Sequence, residues 1–222
     1  CGNIFAFAIE LADIDNDGDD DLFLSGAAGE PGKLFRNDGP EQFTPVPVPD
    51  LENDREHEDM GALFFDADSD GDLDLYVVSG GAEHPAGSTG LQDRLYTNLG
   101  AGRLTRAAAA AAALPDTRDS GSVVAAADFD RDGDLDLFLG GRLIPGNYPL
   151  TPQSRILRNN FGHFSDASNE VGAQLAKTGL VTSALWSDTD NDGWIDLLVT
   201  HEWGPVKLFR NERGRLVDRS LE

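Results

Sequence analysis

The nine residues Asp13-Ile14-Asp15-Asn16-Asp17-Gly18-Asp19-Asp20-Asp21 are the most informative stretch of the chain, because three further stretches repeat their pattern. The copies read DADSDGDLD at 66–74, DFDRDGDLD at 128–136 and DTDNDGWID at 188–196, and all share D-x-D-x-D-G-x-x-D. Their first aspartates are 53, 62 and 60 residues apart. Self-similarity at a nearly fixed period is typical of repeat architectures. The sequence therefore predicts four copies of one structural unit.

The crowded carboxylates of each copy indicate a bound cation, because these charges repel one another unless a cation lies between them. Oxygen ligands at alternating positions, with glycine at the sixth position to turn the chain, suit a hard cation, and calcium is the first choice. In such a loop the first, third, fifth and ninth side chains point inward, and the seventh residue offers its backbone carbonyl. We expect about four Ca²⁺ ions, one per repeat. The predicted side-chain ligands are Asp13, Asp15, Asp17, Asp21, Asp66, Asp68, Asp70, Asp74, Asp128, Asp130, Asp132, Asp136, Asp188, Asp190, Asp192 and Asp196, and the predicted carbonyl ligands are Asp19, Asp72, Asp134 and Trp194.

An EF-hand and a simple turn are the two other interpretations of the Asp-rich loop. An EF-hand needs flanking helices and a bidentate Glu at the twelfth loop position. That position holds Leu24, Val77, Leu139 and Val199, so the EF-hand pattern fails in every copy. A single Asp-Gly loop could be a simple turn, but a recurrence that keeps all the aspartates favours metal binding. We expect a structural ion, because a full carboxylate shell leaves little room for a substrate.

Each loop stands in the same context of short apolar runs. Runs rich in Val, Ile, Leu and Phe come before and after it, which favours strands. A second motif follows in every repeat, beginning with Lys33-Leu-Phe-Arg-Asn37 and recurring at 94–98, 155–159 and 207–211, where Asn with a nearby Gly marks a turn. One unit is therefore a four-stranded antiparallel meander, the size of a propeller blade. The predicted fold is an all-β β-propeller of four-stranded blades, with blades at 1–48, 49–114, 115–174 and 175–222.

Insertions lengthen the second and third units. They lie at Gly80 to Leu91 and Gly141 to Gln153, between the second and third strands, and we expect both to project from one rim. The aromatic and imidazole side chains proposed as exposed contact candidates there are His84, Tyr148, His201 and Trp203. The segment Pro45 to Pro49 is expected to be an extended connector, and the alanines at 107–113 a short helix or a low-complexity linker.

Composition excludes several classes of function. The formal net charge is -23, from 40 acidic and 17 basic residues, so neither nucleic acid nor an anionic membrane surface is an expected partner. The single cysteine, Cys1, cannot form an internal disulfide, and it is interpreted either as a chain end or as a lipidated N-terminal cysteine. The histidines are scattered, and the chain has neither a G-x-S-x-G elbow nor a phosphate-binding glycine loop. We therefore predict that the protein is not an enzyme.

The two motifs together resemble the FG-GAP/VCBS repeat, which builds β-propellers of the integrin α N-terminal type. Three stretches of the sequence are similar to the bacterial ASPIC/UnbV and cartilage-acidic-protein group. They are Asp128 to Arg142, the Pro145-Gly-Asn-Tyr-Pro149 that follows, and Glu202-Trp-Gly-Pro205. The resemblance covers essentially the whole chain. Propellers of this family usually have about seven blades, whereas this chain has four. A segment of a longer propeller, a closed four-bladed ring and an assembly of several copies all remain open.

The resemblance implies an extracellular calcium-binding propeller that acts as a binding or adhesion module. Its expected partner is a protein or a glycan at the cell surface, and self-association through open blade edges is a further expectation. Secretion or surface display is expected, because such sites suit millimolar extracellular calcium. Two alternatives are a structural subunit of a filament or surface layer, and a non-catalytic domain of a larger secreted enzyme.

Overall fold

The computed structural model describes residues 8–40, 42–107 and 114–220. Its strands form four sheets of four strands each, and in every sheet the strands are antiparallel and neighbour one another in chain order. This confirms the prediction of an all-β propeller built of four-stranded blades, and each sheet is called a blade below. The predictions for Cys1 and for the alanines at 108–113 lie outside the described residues.

The blades follow one another along the chain. Blade 1 contains β1 (Ile9–Ala12), β2 (Asp21–Leu24), β3 (Lys33–Asn37) and β4 (Phe43–Val46). Blade 2 contains β5 (Asp59–Phe65), β6 (Asp74–Ser79), β7 (Arg94–Asn98) and β8 (Leu104–Arg106). Blade 3 contains β9 (Ser120–Ala127), β10 (Asp136–Leu143), β11 (Arg155–Arg158) and β12 (Ser165–Asp166). Blade 4 contains β13 (Val181–Ser187), β14 (Asp196–His201), β15 (Lys207–Asn211) and β16 (Leu216–Asp218).

Strand register places every Asp-rich loop on one rim. In blade 1 the pair Ala12 and Asp21 closes the hairpin between the first and second strands, and in blade 2 the pair Phe65 and Asp74 does the same. The ninth residue of each loop is thus the first residue of a second strand. Because neighbouring strands are antiparallel, the turns between third and fourth strands lie on this rim too, called the loop rim. The connections between second and third strands lie on the opposite rim, called the insertion rim.

The blades pack face to face through alternating side chains of the second strands. In β6, Leu75 and Val77 belong to the apolar cluster shared with blade 1, whereas Tyr76 and Val78 belong to the cluster shared with blade 3. A third cluster joins blades 3 and 4. Since neighbouring side chains of a strand point to opposite faces, a strand buried on both faces reads as a continuous apolar run.

The outer faces of the first and last blades are open. Ile9 and Leu11 are 63% and 57% exposed on the face of blade 1 that points away from blade 2. Leu185 is 63% exposed on the face of blade 4 that points away from blade 3. Within the described residues, the apolar clusters join only blades 1 and 2, 2 and 3, and 3 and 4. The described blades therefore form an arc with two open ends.

The segment Pro45 to Pro49 differs from the extended connector that was expected. Pro45 lies within the edge strand β4, opposite Phe35, and a proline is tolerated there because an edge strand leaves its outer side unpaired. Pro49 begins the short helix α1 (Pro49–Asn53), where its missing N–H costs nothing. A second short helix, α2 (Ser168–Gly172), follows β12. No helix in the described ranges has the length and apolarity needed to span a membrane.

Candidate metal centres and rim site

All the Asp-rich loops share one backbone conformation. The fourth residue is left-handed in each, with φ between 60° and 65° at Asn16, Ser69, Arg131 and Asn191. The sixth residue is a glycine with φ between 87° and 100°, which an L side chain adopts only with strain. The first aspartate accepts the backbone N–H of this glycine, over 3.0 Å from Gly18 to Asp13 and 2.9 Å from Gly193 to Asp188. The recurring glycine is thus required by the turn itself.

The turn gathers three carboxylates in each loop. In the loops of blades 1, 2 and 4 the first, third and fifth aspartates each offer an oxygen within 4.8 Å of the others, and in the loop of blade 3 the first, third and ninth do so. The groups are Asp13, Asp15 and Asp17; Asp66, Asp68 and Asp70; Asp128, Asp130 and Asp136; and Asp188, Asp190 and Asp192. The full predicted ligand sets, including the ninth side chains of the other three loops, stay a prediction.

The ninth aspartate is a buried structural hub. Asp74 is almost fully buried, and its two oxygens accept the backbone N–H groups of Ala67 (3.0 Å) and Asn98 (2.8 Å). Asp21 and Asp196 receive the corresponding pair of bonds, and Asp136 receives the one from Asn159. Each ninth carboxylate therefore ties its loop to the turn between the third and fourth strands.

Three of the four seventh residues contact the neighbouring blade through their side chains. Asp72 accepts a hydrogen bond from Asn16 (3.0 Å) and Asp134 accepts one from Ser69 (3.3 Å), each from the neighbouring blade. Trp194 lies under the guanidinium of Arg131. Because these side chains differ so much, they are compatible with a metal-ligand role for the backbone carbonyl of the seventh residue and not for its side chain. This is the role predicted for Asp19, Asp72, Asp134 and Trp194. That carbonyl role stays a prediction.

Burial and the mutual repulsion of the carboxylates make these loops electrostatically costly. Desolvation, together with the charges of the neighbouring aspartates, raises the pKa of Asp74 and of Asp136 to about 7, although backbone hydrogen bonds oppose the shift. Desolvation followed by the charge of Asp70 also raises the pKa of Asp68. A cation held between the carboxylates would oppose both effects.

The donor set fits such a cation. Several buried carboxylate oxygens of the loops have no hydrogen-bond partner among the described residues, namely one each of Asp15, Asp68, Asp128, Asp130 and Asp136. Buried polar atoms without partners are rare in folded proteins unless an ion or water satisfies them. Carboxylate oxygens alone, without nitrogen or sulfur ligands, suit a hard cation of the calcium type.

Guanidinium groups distinguish the later loops from the earlier ones. Arg158 donates to Asp130 over 3.0 Å, and Arg210 forms an ion pair with Asp190. At the corresponding position of blade 1, Arg36 instead pairs with Asp38 outside the metal cluster. Blade 2 has Thr97 at this position. Among the described residues, the carboxylate clusters of blades 1 and 2 therefore form no ion pair from this position.

The turn asparagines have a role that the sequence did not reveal. Beyond marking a turn, Asn98 donates its amide to the carbonyl of Ile14 in the preceding blade over 2.8 Å. Asn159 and Asn211 repeat this contact with Ala67 (2.8 Å) and Phe129 (2.7 Å). The strict recurrence of Asn at this position was the available signal, but its partner is distant in sequence.

The insertion rim brings two of the four contact candidates together. The rings of Tyr148 and Trp203 lie edge to face, with centroids 5.3 Å apart, and are 50% and 66% exposed. Tyr148 donates its hydroxyl to Glu202 over 3.1 Å, and Arg142 forms an ion pair with the other oxygen of that carboxylate. These four residues, which join blades 3 and 4, are called the rim cluster.

The ring nitrogens of the two histidine candidates on this rim contact neighbouring residues of the protein. His84 is half-buried, with Nε2 2.7 Å from the carbonyl oxygen of Glu56. His201 is also half-buried, and its two ring nitrogens contact Thr178 and Pro205. Both rings are half-buried rather than fully exposed, and a contact role for these two histidines stays a prediction.

The repeat motif and the four sheets of four antiparallel strands define a class of propeller repeats with Asp-rich loops, and the family comparison agrees. The model of the FG-GAP-like repeat matches residues 7–77 and 79–139, which together are more than half of the chain. The chain therefore belongs to the FG-GAP-like repeat family, as the resemblance implied.

Two curated relatives are similar to this chain over most of its length. Cartilage acidic protein 1 of Mus musculus is 25% identical over 197 residues, covering 87% of this chain and 29% of the relative. Cartilage acidic protein 1 of Homo sapiens is 24% identical over 197 residues, covering 87% of this chain and 28% of the relative. The chain thus spans less than a third of the length of these relatives.

One solved structure shares the fold. It is a lectin of Agrocybe aegerita, described by its specific recognition of non-reducing terminal N-acetylglucosamine. It superposes with a TM-score of 0.57 at 20% identity and covers 94% of this chain and 50% of that chain. At this level of identity the likeness concerns the fold alone.

Proposed function

We propose that this chain is a non-catalytic binding and adhesion module that acts outside the cell and is stabilised by calcium. The observation that carries the proposal is the rim cluster. Two exposed aromatic rings stand beside a carboxylate and a guanidinium, and aromatic and arginine side chains contribute most of the energy in many binding surfaces. The same loops that bear these residues are joined to rigid blades, which is the usual arrangement of binding residues.

The ligand proposed for the rim cluster is a glycan, free or on a protein, at a cell surface. The exposed rings of Tyr148 and Trp203 offer apolar surface, while Glu202 and Arg142 beside them offer an acceptor and donors for hydroxyl groups. The shared fold with a glycan-recognising lectin supports this ligand class. A protein ligand without glycan is the alternative outcome of the experiment below.

Calcium is proposed to act as a structural cofactor rather than as part of the ligand site. The carboxylate clusters lie on the loop rim and the rim cluster on the opposite rim. An ion that binds only the folded state stabilises it by RT ln(1 + c/Kd), where c is the free ion concentration, so the stabilisation rises with c. Micromolar affinity or weaker would suit the calcium concentration outside cells, which supports secretion or surface display.

Glycan-array binding followed by calorimetry tests the proposal. The chain is assayed in 2 mM CaCl2, roughly the extracellular level, beside the variants Trp203→Ala and Tyr148→Ala. We expect each variant to weaken binding at least about tenfold, the effect of losing a central aromatic contact. The matched control is Phe161→Ala, because Phe161 is a similarly exposed aromatic residue on the loop rim.

Three outcomes would count against the proposal. Binding that Phe161→Ala and Trp203→Ala weaken equally would remove the rim cluster from the function. Absence of binding to any glycan or cell surface in the presence of calcium would remove the binding module. Turnover of the bound glycan, seen as released product, would replace the non-catalytic proposal by an enzymatic one.

A further inference from the structure

The third aspartate of each Asp-rich loop distinguishes the loop of blade 4 from the other loops. In blades 1, 2 and 3 this residue keeps one buried carboxylate oxygen that has no hydrogen-bond partner among the described residues. These residues are Asp15, Asp68 and Asp130. In blade 4 the corresponding residue is Asp190, and both of its oxygens are engaged. Its Oδ1 accepts the backbone N–H of Asp192 over 3.3 Å, and its Oδ2 forms an ion pair with Arg210.

The guanidinium of Arg210 lies among the carboxylates of this loop. Besides the ion pair with Asp190, its nitrogens lie 3.9 Å from an oxygen of Asp192 and 3.7 Å from an oxygen of Asp196. Three of the four predicted side-chain ligands of the loop therefore face one guanidinium group. All of these contacts lie within blade 4.

The residue at the same position of the other blades does not enter its loop in this way. Arg36 of blade 1 pairs with a carboxylate outside the loop, and blade 2 has Thr97. Arg158 of blade 3 donates to Asp130, but it also pairs with Glu170 over 3.3 Å and leaves the other oxygen of Asp130 without a partner. Within the described residues, a guanidinium that faces several loop carboxylates occurs only in blade 4.

A second guanidinium reaches the same loop from blade 3. Arg131 donates to the carbonyl of Gly193 and lies over the ring of Trp194, with its central carbon 4.2 Å from the ring centroid. The corresponding contacts to the loops of blades 2 and 3 come from the uncharged side chains of Asn16 and Ser69. In the part of the chain that the structure describes, the loop of blade 4 alone has two guanidinium groups beside it.

The ninth carboxylate of this loop has an additional donor as well. Asp196 accepts the hydroxyl of Thr189 beside the backbone N–H groups of Thr189 and Asn211. Apolar residues hold the position of Thr189 in the other loops, namely Ile14, Ala67 and Phe129. In blade 3, by contrast, the buried ninth carboxylate of Asp136 keeps an oxygen without a partner among the described residues.

The charges of the two arginines decide what this loop can bind. Because a guanidinium stays protonated in proteins, Arg131 and Arg210 together carry about the charge of one divalent ion. They offset the repulsion between the carboxylates that a cation would have to offset in the other loops. A cation that entered the loop of blade 4 would have to displace Arg210 from Asp190, and it would then lie close to two like charges that oppose its binding.

We propose that Arg131 and Arg210 take the place of the cation in the loop of blade 4, so that the chain binds about three Ca²⁺ ions instead of about four. The inference rests on the calcium-stabilised fold proposed above and concerns which loops bind the ion. It assigns the ions to the loops of blades 1, 2 and 3, whose carboxylate groups begin at Asp13, Asp66 and Asp128. The counter-charges of the remaining loop belong to the chain itself.

Equilibrium dialysis of the complete chain against calcium tests the inference. At about 2 mM free calcium, roughly the extracellular level, we expect about three bound ions per chain. The double variant Arg131→Asn with Arg210→Thr gives the loop of blade 4 the same two neighbours as the loop of blade 2, which are Asn16 and Thr97. We expect this variant to bind one further ion, at least about tenfold more tightly than any additional ion that the wild-type chain takes up at higher calcium.

Arg158→Thr is the matched control. Arg158 stands at the position of Arg210 in blade 3, but it leaves an oxygen of Asp130 without a partner, so we expect this variant to bind as many ions as the wild-type chain. Unfolding curves in chelator and in excess calcium establish that each protein folds. The rise in Tm from chelator to calcium should be larger for the double variant than for the wild-type chain, because one more loop then depends on the ion.

The outcomes separate this inference from the proposed function. About four bound ions of similar affinity in the wild-type chain would overturn the inference and leave the calcium-stabilised fold in place. A double variant that gains no ion, or a control variant that gains one, would also overturn it. A wild-type chain that binds no calcium would overturn the calcium cofactor of the proposed function together with this inference.

Discussion

A single amide group ties each of the later blades to the blade before it. The side chain of Asn98 is fully buried and bridges the carbonyl of Ile14 in blade 1 and the carbonyl of Leu73 in its own blade. Its oxygen also accepts the backbone N–H of Gly100 and so shapes the turn. Asn37 makes the same bonds within its own blade, and among the described residues it donates to no carbonyl of another blade. The two residues therefore differ by the contact between blades.

This difference predicts unequal effects of two alanine substitutions. Asn98→Ala leaves the buried carbonyl of Ile14 without its donor, and we expect it to lower the free energy of unfolding by about 2–3 kcal/mol. Asn37→Ala removes only bonds at an exposed turn, and we expect a loss of about 1 kcal/mol or less. Urea unfolding in calcium, at a concentration where the chain is monomeric, measures both. Equal losses would show that the amide acts through the turn alone.

Substituting a loop carboxylate is expected to destabilise the protein in calcium but not after calcium is removed. Asp68 stands in the loop of blade 2, where no arginine approaches, and burial raises its pKa. In calcium, Asp68→Asn removes a charged ligand, and we expect Tm to fall by about 2–4 °C, equivalent to about 1 kcal/mol for a chain of this size. In chelator the same change removes a repulsive charge, and Tm is expected to stay equal or rise.

Calorimetry in excess calcium and in excess chelator measures the two values. Asp116→Asn is the control for net charge, because Asp116 is exposed and far from every Asp-rich loop in sequence. A fall of Tm in both conditions would mean that Asp68 stabilises the turn without a cation, and it would contradict the metal centre in blade 2.

Strands, unlike contacts between blades, could be predicted from local sequence. The alternation around Asp74 and the Asn-Gly turn after β7 each depend on neighbouring residues, so the meander and the position of the loops followed from the pattern. Strand ends were less predictable: β4 includes Pro45, which an edge strand tolerates. The grouping of Tyr148 with Glu202 joins residues from different blades, and no local pattern reports such a distance.

One buried carboxylate between β6 and β7 makes the stability of blade 2 depend on pH. Asp93 accepts hydrogen bonds from the hydroxyl of Tyr76 (2.9 Å) and the backbone N–H of Ser79 (2.8 Å). Burial raises the pKa of Asp93 to about 7, although both hydrogen bonds oppose the shift. A carboxyl whose pKa is raised in the folded state binds its proton more tightly there than in the unfolded chain. Its contribution to stability is therefore lost as pH rises through 7.

Asp93→Asn is expected to reduce this pH dependence. Between pH 6 and pH 8 the wild-type chain should lose about 1 kcal/mol of unfolding free energy through Asp93, because one pKa unit corresponds to about 1.4 kcal/mol. The variant keeps an acceptor for Tyr76 and cannot ionise, so its stability should change less over this range. Urea unfolding at both pH values in excess calcium, which keeps the loop carboxylates ionised, measures the difference. Parallel pH profiles of stability for the wild-type chain and Asp93→Asn would contradict the raised pKa of Asp93.

The arrangement of the blades makes the molecule a chain of nearest-neighbour contacts. Within the described residues, blades 2 and 3 have apolar partners on both faces, whereas blades 1 and 4 have a partner on one face only. The outer edge strands are short, as in β8 (Leu104–Arg106) and β12 (Ser165–Asp166), and short edges limit pairing with other chains. Self-association through blade edges stays a prediction.

Hydrogen exchange should reveal this difference in stability between the inner and the outer blades. In repeat structures stability is a sum of unit and neighbour terms, so units with a single neighbour open first. In calcium and at low protein concentration, we expect the slowest amides in β6 and β10 and faster exchange in β2 and β14. Uniform protection across all blades at low concentration would contradict the open arc, since it would require a neighbour on the outer faces of blades 1 and 4.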